Sequence, residues 1–380
     1  MSFSSLGLSP NILKALASQK YETPYLIQKE AIPAILSGKD VLGIAPTGSG
    51  KTAGYVLPIL MNLRNTPVLK NRHINVLVLV PTRELAVQVR EVFERFLSEL
   101  PGSIKTLAVF GGVSINPQMM SLQGTRILVA TPGRLLELVE ANAVHLSTIE
   151  TLVLDEADKM LNLGFKEEMK RIFALLPSNR QNLLFSATLS NDVHLINQIV
   201  LHEPLVIKLE PEGDFIELIS QQAYFVEDER KGPLLRYLIK NQNLQHVLVF
   251  ISSVYQADLV AEKLRRNGID ALSIHSKKSQ GGRTEALRKF KSGEVRVLVA
   301  TDLIARGIDI QFLPCVINYE LPRSPKDYIH RIGRTGRAES AGQAISFVTI
   351  EDQHHFKVIQ KKMGKEVPLI NCDGLELKGY

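Results

Sequence analysis

One octet constrains the fold of this 380-residue chain more than any other stretch. Ala45, Pro46, Thr47, Gly48, Ser49, Gly50, Lys51 and Thr52 follow directly on the apolar run 41–44 and lead into a helical pattern. A glycine-rich turn between a buried strand and a helix lets the backbone approach anionic oxygens, and its successive N–H groups and the helix N-terminus face them. Lys51 is then placed to bridge β- and γ-phosphates and Thr52 to hold Mg²⁺. The general pattern for such loops has Gly where Ala45 stands; the remaining residues and the strand–helix setting are present. A strand feeding a helix in this way belongs to a parallel α/β sheet.

The remainder of the chain repeats that alternation. Short apolar, β-branched runs at 41–45, 76–80, 106–110, 127–130, 152–154 and 183–185 are separated by longer amphipathic segments, as in a parallel sheet covered by helices. After a further run at 205–209 comes the polar stretch 210–217, with Pro211 and Gly213 and no periodicity, which reads as an interdomain linker. A second series follows at 223–226, 247–251, 271–274, 295–300, 316–318 and 344–348. The length, too, exceeds a single hydrophobic core and predicts two domains.

Composition narrows the function. Residues 1–217 carry 20 Lys and Arg against 21 Asp and Glu, a net −1, whereas residues 218–380 carry 25 against 18, a net +7. A basic second half suits a polyanionic partner, although many basic surfaces are only solvated. Cys315 and Cys372 have neither metal-ligand spacing nor a disulfide framework, which suits a reducing compartment. Residues 1–20 lack a basic start followed by a long apolar run, and the apolar stretches elsewhere are strand-length. The expectation is a cytoplasmic protein without a membrane segment.

A second chemical signal closes the run 151–154, which ends in Asp155, Glu156, Ala157 and Asp158. Carboxylates at a strand's C-terminal end project into the crevice where α/β proteins bind ligands. Asp155 can hold Mg²⁺, mainly through water, and Glu156 can polarise an attacking water. Alone, the tetrapeptide reads equally as an acidic turn capping a helix; beside a phosphate loop the chemical reading gains.

These residues resemble the DEAD-box ATP-dependent RNA helicases, and the resemblance extends over nearly the whole chain. Pro81, Thr82 and Arg83, Gly111 and Gly112, and Thr131, Pro132, Gly133 and Arg134 look like the family's RNA-contacting motifs of the first domain. Ser186 and Thr188 look like its coupling motif, with Asp158 and Arg331 joined to the same interdomain coupling. Residues 306–309 and 330–337 look like its second-domain motifs. Segment 20–28 resembles its adenine-reading segment, with Tyr21, Thr23 and Gln28 as contacts and Phe3 at the isolated upstream aromatic position. Lys20 stands where the family often has glycine. A glutamine amide both accepts from N6 and donates to N7 of adenine, which predicts ATP over GTP.

By the same resemblance, Arg334 and Arg337 are arginine fingers acting across the domain cleft, with His330 linking them to the acidic strand end. Spaced three apart, they would share one side of a short helix. Thr301, Asp302 and Asp309 would touch RNA and nucleotide, and Gln280 and Arg283 would grip RNA, although Ser276 stands where glycine is usual. Gly111 and Gly112 and the 131–134 stretch also read, singly, as structural turns. RNA contacts of this kind meet backbone and 2′-hydroxyls, so sequence-tolerant binding is expected.

The resemblance implies an α/β fold of two RecA-like, P-loop NTPase domains, each a parallel sheet flanked by helices. Their expected bounds are 1–209 and 218–365, with linker 210–217 and tail 366–380. It implies a monomeric enzyme that hydrolyses ATP with Mg²⁺, stimulated by RNA, and locally unwinds short duplexes or remodels ribonucleoproteins. An ATP-dependent RNA clamp and a DNA helicase are the competing readings.

Overall fold

In the computed structural model the described residues are 2–46, 48–63, 72–100, 102, 104–189, 193–194, 196, 200–209, 219–302, 310, 313–335, 342–377 and 379–380. They divide into two compact units, Met1–Pro211 and Glu212–Tyr380. The expected linker, 210–217, lies outside the described residues.

In the first unit the strands are β1 (Val41–Ile44), β2 (Val76–Leu79), β3 (Lys105–Val109), β4 (Thr125–Ala130), β5 (Thr151–Asp155), β6 (Gln181–Ser186) and β7 (Leu205–Lys208). They form one sheet in the order β3-β4-β2-β5-β6-β1-β7, with every pairing parallel. Helices α1 (Pro10–Ser18), α2 (Leu26–Leu36), α3 (Lys51–Leu63), α4 (Arg83–Leu97), α5 (Ile115–Ser121), α6 (Pro132–Glu140), α7 (Ala157–Asn162) and α8 (Lys166–Ala174) connect them. Successive strand residues point to opposite faces, so both faces of the wholly apolar β1 and β2 must be covered. Val76 and Val78 enter one core with α1 to α4, while Leu77 and Leu79 enter another with α6 to α8.

The second unit contains β8 (Ile219–Phe225), β9 (Val247–Ile251), β10 (Ala271–Ile274), β11 (Val297–Thr301), β12 (Cys315–Asn318), β13 (Gly342–Val348) and β14 (Leu369–Asn371). Its order is β10-β11-β9-β12-β13-β8-β14. Each strand occupies the place of the strand seven earlier in the first sheet, so the two units share one topology. The helices are α9 (Asp228–Asn241), α10 (Val254–Arg266), α11 (Gln280–Lys291), α12 (Pro325–Ile332) and α13 (Gln353–Met363).

Residues 366–380, expected as a tail, are part of this unit. β14 pairs in parallel with β8, Cys372 and Leu377 are buried in the core, and the Arg236 guanidinium donates to the Tyr380 carbonyl. Three exposed strand residues carry no hydrophobic period, which is why the sequence reads as a tail there.

Candidate active site

The carboxyl ends of β5, β6 and β1 lie side by side, with Asp155 opposite Phe185 and Ile44 opposite Ser186. Ala45 N donates to the Ser186 carbonyl at 3.0 Å. The octet therefore leaves the sheet next to the acidic strand end, as ligand sites of α/β sheets do. Gly48 and Gly50 adopt φ of 89° and 83°, the left-handed region that side chains disfavour. Ser49 Oγ donates to the Pro46 carbonyl at 2.8 Å; Thr47 lies outside the described residues.

Lys51 opens α3, and its side chain folds back into the loop. Nζ donates to the carbonyls of Ala45 at 2.6 Å and Pro46 at 3.0 Å, and the residue is only 8% exposed. Burial lowers its pKa, against opposing attraction from Asp155 and Glu156. One helical turn on, the fully buried Tyr55 hydroxyl donates to Asp155 Oδ2 at 2.8 Å. Burial first, then the neighbouring Glu156, push the Asp155 carboxyl up to about 6, despite Lys51 and Tyr55. Burial and the Asp155 charge together raise the Tyr55 phenol well above its ordinary value.

Glu156 takes φ 54°, ψ 47°, an uncommon conformation for a residue with a side chain and one that clusters at functional sites. Its Oε1 accepts from Lys159 Nζ at 2.6 Å. Glu156 Oε2 and Asp158 Oδ1 are buried without a hydrogen-bond partner among the described residues. Thr188 Oγ1 donates to Asp158 Oδ2 at 3.1 Å, and Ser186 Oγ donates to the Thr188 carbonyl at 2.8 Å. The expected coupling residues of this unit are therefore joined to the acidic end.

Segment 20–28 meets the same loop. Gln28 is fully buried; its Nε2 donates to the Gly50 carbonyl at 2.9 Å, and its Oε1 accepts from Tyr25 N at 3.0 Å. A Cβ on Gly50 would stand 2.5 Å from Gln28 Nε2 and 2.7 Å from Tyr25 Cδ2, so only glycine fits. Lys20 itself adopts φ 58°, the conformation glycine would supply. Of the other expected contacts, Thr23 is exposed and Tyr21 is half-buried with its ring 5.5 Å from Phe96. Phe3 is 5% exposed inside the α1 to α4 core. An aromatic residue that seals a core cannot stack on a ligand at the same time, and the open ring beside the loop is Tyr25, 53% exposed.

The expected RNA motifs of the first unit converge. Thr82 caps α4, its Oγ1 accepting from Leu85 N at 3.3 Å, and Pro81 is buried before it. The Arg83 guanidinium passes so close to Gly112, at φ 73°, that a Cβ there would lie 2.0 Å from Nη2. Arg134, on α6 behind Thr131, Pro132 and Gly133, donates to the Val113 carbonyl at 2.7 Å and to Glu137 Oε2 at 2.7 Å. Gly111 and Gly133 face open space.

In the second unit, Arg283 donates to Gln280 Oε1 at the start of α11. The preceding loop is tied to Asp258, which accepts from Ser273 Oγ at 2.6 Å and Lys278 Nζ at 2.8 Å, with His275 Nε2 3.0 Å from its second oxygen. Burial would raise the Asp258 carboxyl, but Lys278, Ser273 and His275 together outweigh it and hold it well below the usual range. Thr301 is buried at the end of β11.

Two features of the second unit bear on the expected roles of its arginines. Arg331 is 2% exposed and pairs with both oxygens of Asp302 at 2.6 Å, while also donating to Asn318 Oδ1 and the Glu320 carbonyl. Its guanidinium ties the end of β11 to β12, and Asp302 is engaged in holding it. Second, α12 ends at Ile332 with Gly333 as its cap. Arg334 therefore lies beyond the helix that was to align it with Arg337. His330 is half-buried and Arg334 buried; Asp309 and Arg337 lie outside the described residues.

Sequence reasoning missed Tyr55, Lys159, Tyr25 and Asp258. For the first two, the spacing i+4 from Lys51 and i+3 from Glu156 is a usable signal.

A family model described as DEAD/DEAH box helicase matches residues 25–196, and a helicase conserved C-terminal domain matches residues 230–339. The chain is 39% identical over 362 residues to the ATP-dependent RNA helicase CshA of Limosilactobacillus reuteri, covering 95% of this chain and 72% of that protein. It is likewise 39% identical over 378 residues to the ATP-dependent RNA helicase DeaD of Escherichia coli K12, covering 99% of this chain and 59% of that one. The structure of S. cerevisiae Dbp5 bound to RNA and ADP BeF3 matches with a TM-score of 0.85 at 29% identity, over 98% of this chain and 96% of that chain.

Proposed function

Because this chain belongs to the DEAD-box family of ATP-dependent RNA helicases, we propose that it hydrolyses ATP in response to RNA and uses the cycle to separate short duplexes locally, without processive travel. The observation that carries this reading is the meeting of a phosphate-type loop, a buried carboxylate pair and the Ser186–Thr188 turn at three adjacent strand ends.

Each side chain has a role in that chemistry. Lys51 leaves the carbonyls of Ala45 and Pro46 to meet the β- and γ-phosphates, which receive the loop amides of residues 48–52. Gln28 reads the adenine edge, with Tyr21 and Thr23 as neighbouring contacts. Thr52 and Asp155 fit Mg²⁺, Asp155 mainly through water, and the unpartnered buried oxygens of Glu156 and Asp158 suit a solvated cation nearby. When bound, the ion supplies charge neutralisation at the phosphate oxygens. Glu156 orients and deprotonates the attacking water, and Arg334, Arg337 and His330 of the second unit complete the reaction. The arginine, glycine and hydroxyl groups around Arg83, Gly112 and Thr131, with Gln280, Arg283 and Thr301, hold the RNA backbone. Because ATP and RNA favour the same state, each raises the affinity for the other.

Operation as a cytoplasmic monomer fits two free, buried thiols; among the described residues no helix is long and apolar enough to cross a membrane. A strand-displacement assay on a short RNA duplex with ATP tests the proposal. Displacement together with RNA-stimulated turnover is expected. Turnover without displacement favours a clamp that holds RNA for partners, and equal stimulation by DNA of the same sequence overturns the RNA preference.

A further inference from the structure

The reaction assigned to Glu156 demands more of that side chain than a carboxylate. A glutamate has three rotatable bonds, and unless they are fixed the carboxylate spreads over many positions. In this chain the fixing group is Lys159. It lies on the first turn of α7, and its Nζ is 2.6 Å from Glu156 Oε1, with the two side chains only 9% and 14% exposed. Water therefore competes poorly with the pair, and separating it would leave a charge enclosed. The backbone contributes as well: the N–H groups of Lys159 and Met160 donate to the Glu156 carbonyl at 2.9 and 3.2 Å, holding the left-handed turn at Glu156. Of the two Glu156 carboxylate oxygens, Oε2 is the one left buried without a hydrogen-bond partner among the described residues.

We propose that Lys159 is a positioning residue for hydrolysis, tethering one carboxylate oxygen of Glu156 so that the other, Oε2, is the oxygen presented to the attacking water. In that step the water oxygen forms a bond to the γ-phosphorus, and the bond from γ-phosphorus to the β–γ bridging oxygen breaks with its electron pair leaving on ADP. The water proton passes to Glu156 Oε2. Lys159 acts only through Glu156, so the inference rests on the reading of Glu156 as the water-activating group.

Lys159→Met keeps the buried stem and removes the charge, Lys159→Gln keeps a neutral donor, and Lys159→Arg keeps the cation. RNA-stimulated kcat is expected to fall about tenfold or more in the Met variant, less in the Gln variant, and to recover with Arg. KM for ATP and the affinity for a fluorescent ADP should change by less than about twofold, since proton transfer and not ground-state binding is affected. In a Glu156→Gln background, single-turnover rates should not fall further when Lys159→Met is added. Additive losses in that background would overturn the inference and mark the pair as structural. Wild-type kcat in both the Met and Gln variants, with turnover abolished by Glu156→Gln, would also overturn it while leaving the functional reading intact. Full turnover in Glu156→Gln would remove the functional reading itself.

Discussion

At Gly50 two constraints coincide, a positive φ of 83° and the Gln28 and Tyr25 side chains filling the space a Cβ would take. Gly50→Ala is expected to weaken fluorescent-ADP binding at least about tenfold, because strain of roughly 1–3 kcal/mol must be relieved by moving the loop. A wild-type titration curve would remove the steric argument. Asp155 carries a pH signature. Its carboxyl titrates at about 6 in the folded chain against an ordinary 3.8, so the folded state keeps a proton that the unfolded state has lost. Stability is thus highest on that account below pH about 4 and falls as pH rises through about 6, by on the order of 2–3 kcal/mol. Asp155→Asn should flatten that part of the denaturation profile, and Mg²⁺ should restore stability above pH about 6 only in the chain that retains the carboxylate. Parallel profiles for the two chains would contradict the assignment. Lys51, Gln28 and Asp155 were readable because loop spacing and family motifs mark them. Tyr55 and Lys159 were not, since their roles depend on partners met through space, and Phe3 looks the same in a sequence whether it stacks on a base or seals a core.

Most strands were legible because they are buried on both faces and so write continuous apolar runs. The exceptions are instructive. β14 has three exposed residues, and its presence follows from pairing with β8, not from its own pattern. The end of α12 is set by Gly333, so Arg334 lies beyond that helix, while Arg337 is outside the described residues. Because the segment after β14 places Cys372 and Leu377 in the core, removing residues 366–380 should lower the melting transition of the second unit while leaving that of the first in place. Differential scanning calorimetry separates the two, and an unshifted second transition would show that the strand contributes no stability.

Each unit has its own hydrophobic clusters, which by composition and size is enough for independent folding. Residues 1–209 alone are expected to fold and bind ADP yet to show no RNA-stimulated turnover, because His330, Arg334 and Arg337 are missing. Full polynucleotide-dependent hydrolysis by that fragment would overturn the division of labour. The common strand order carries a further consequence. β8 occupies in its sheet the place β1 occupies in the other, yet it is followed by Val226 and Glu227, and α9 opens with Asp228 and Glu229 in its first turn. Three carboxylates at that helix mouth repel what the glycines and Lys51 attract. A duplicated frame thus has one working cradle and one blocked one, and equilibrium dialysis should find a single nucleotide per polypeptide.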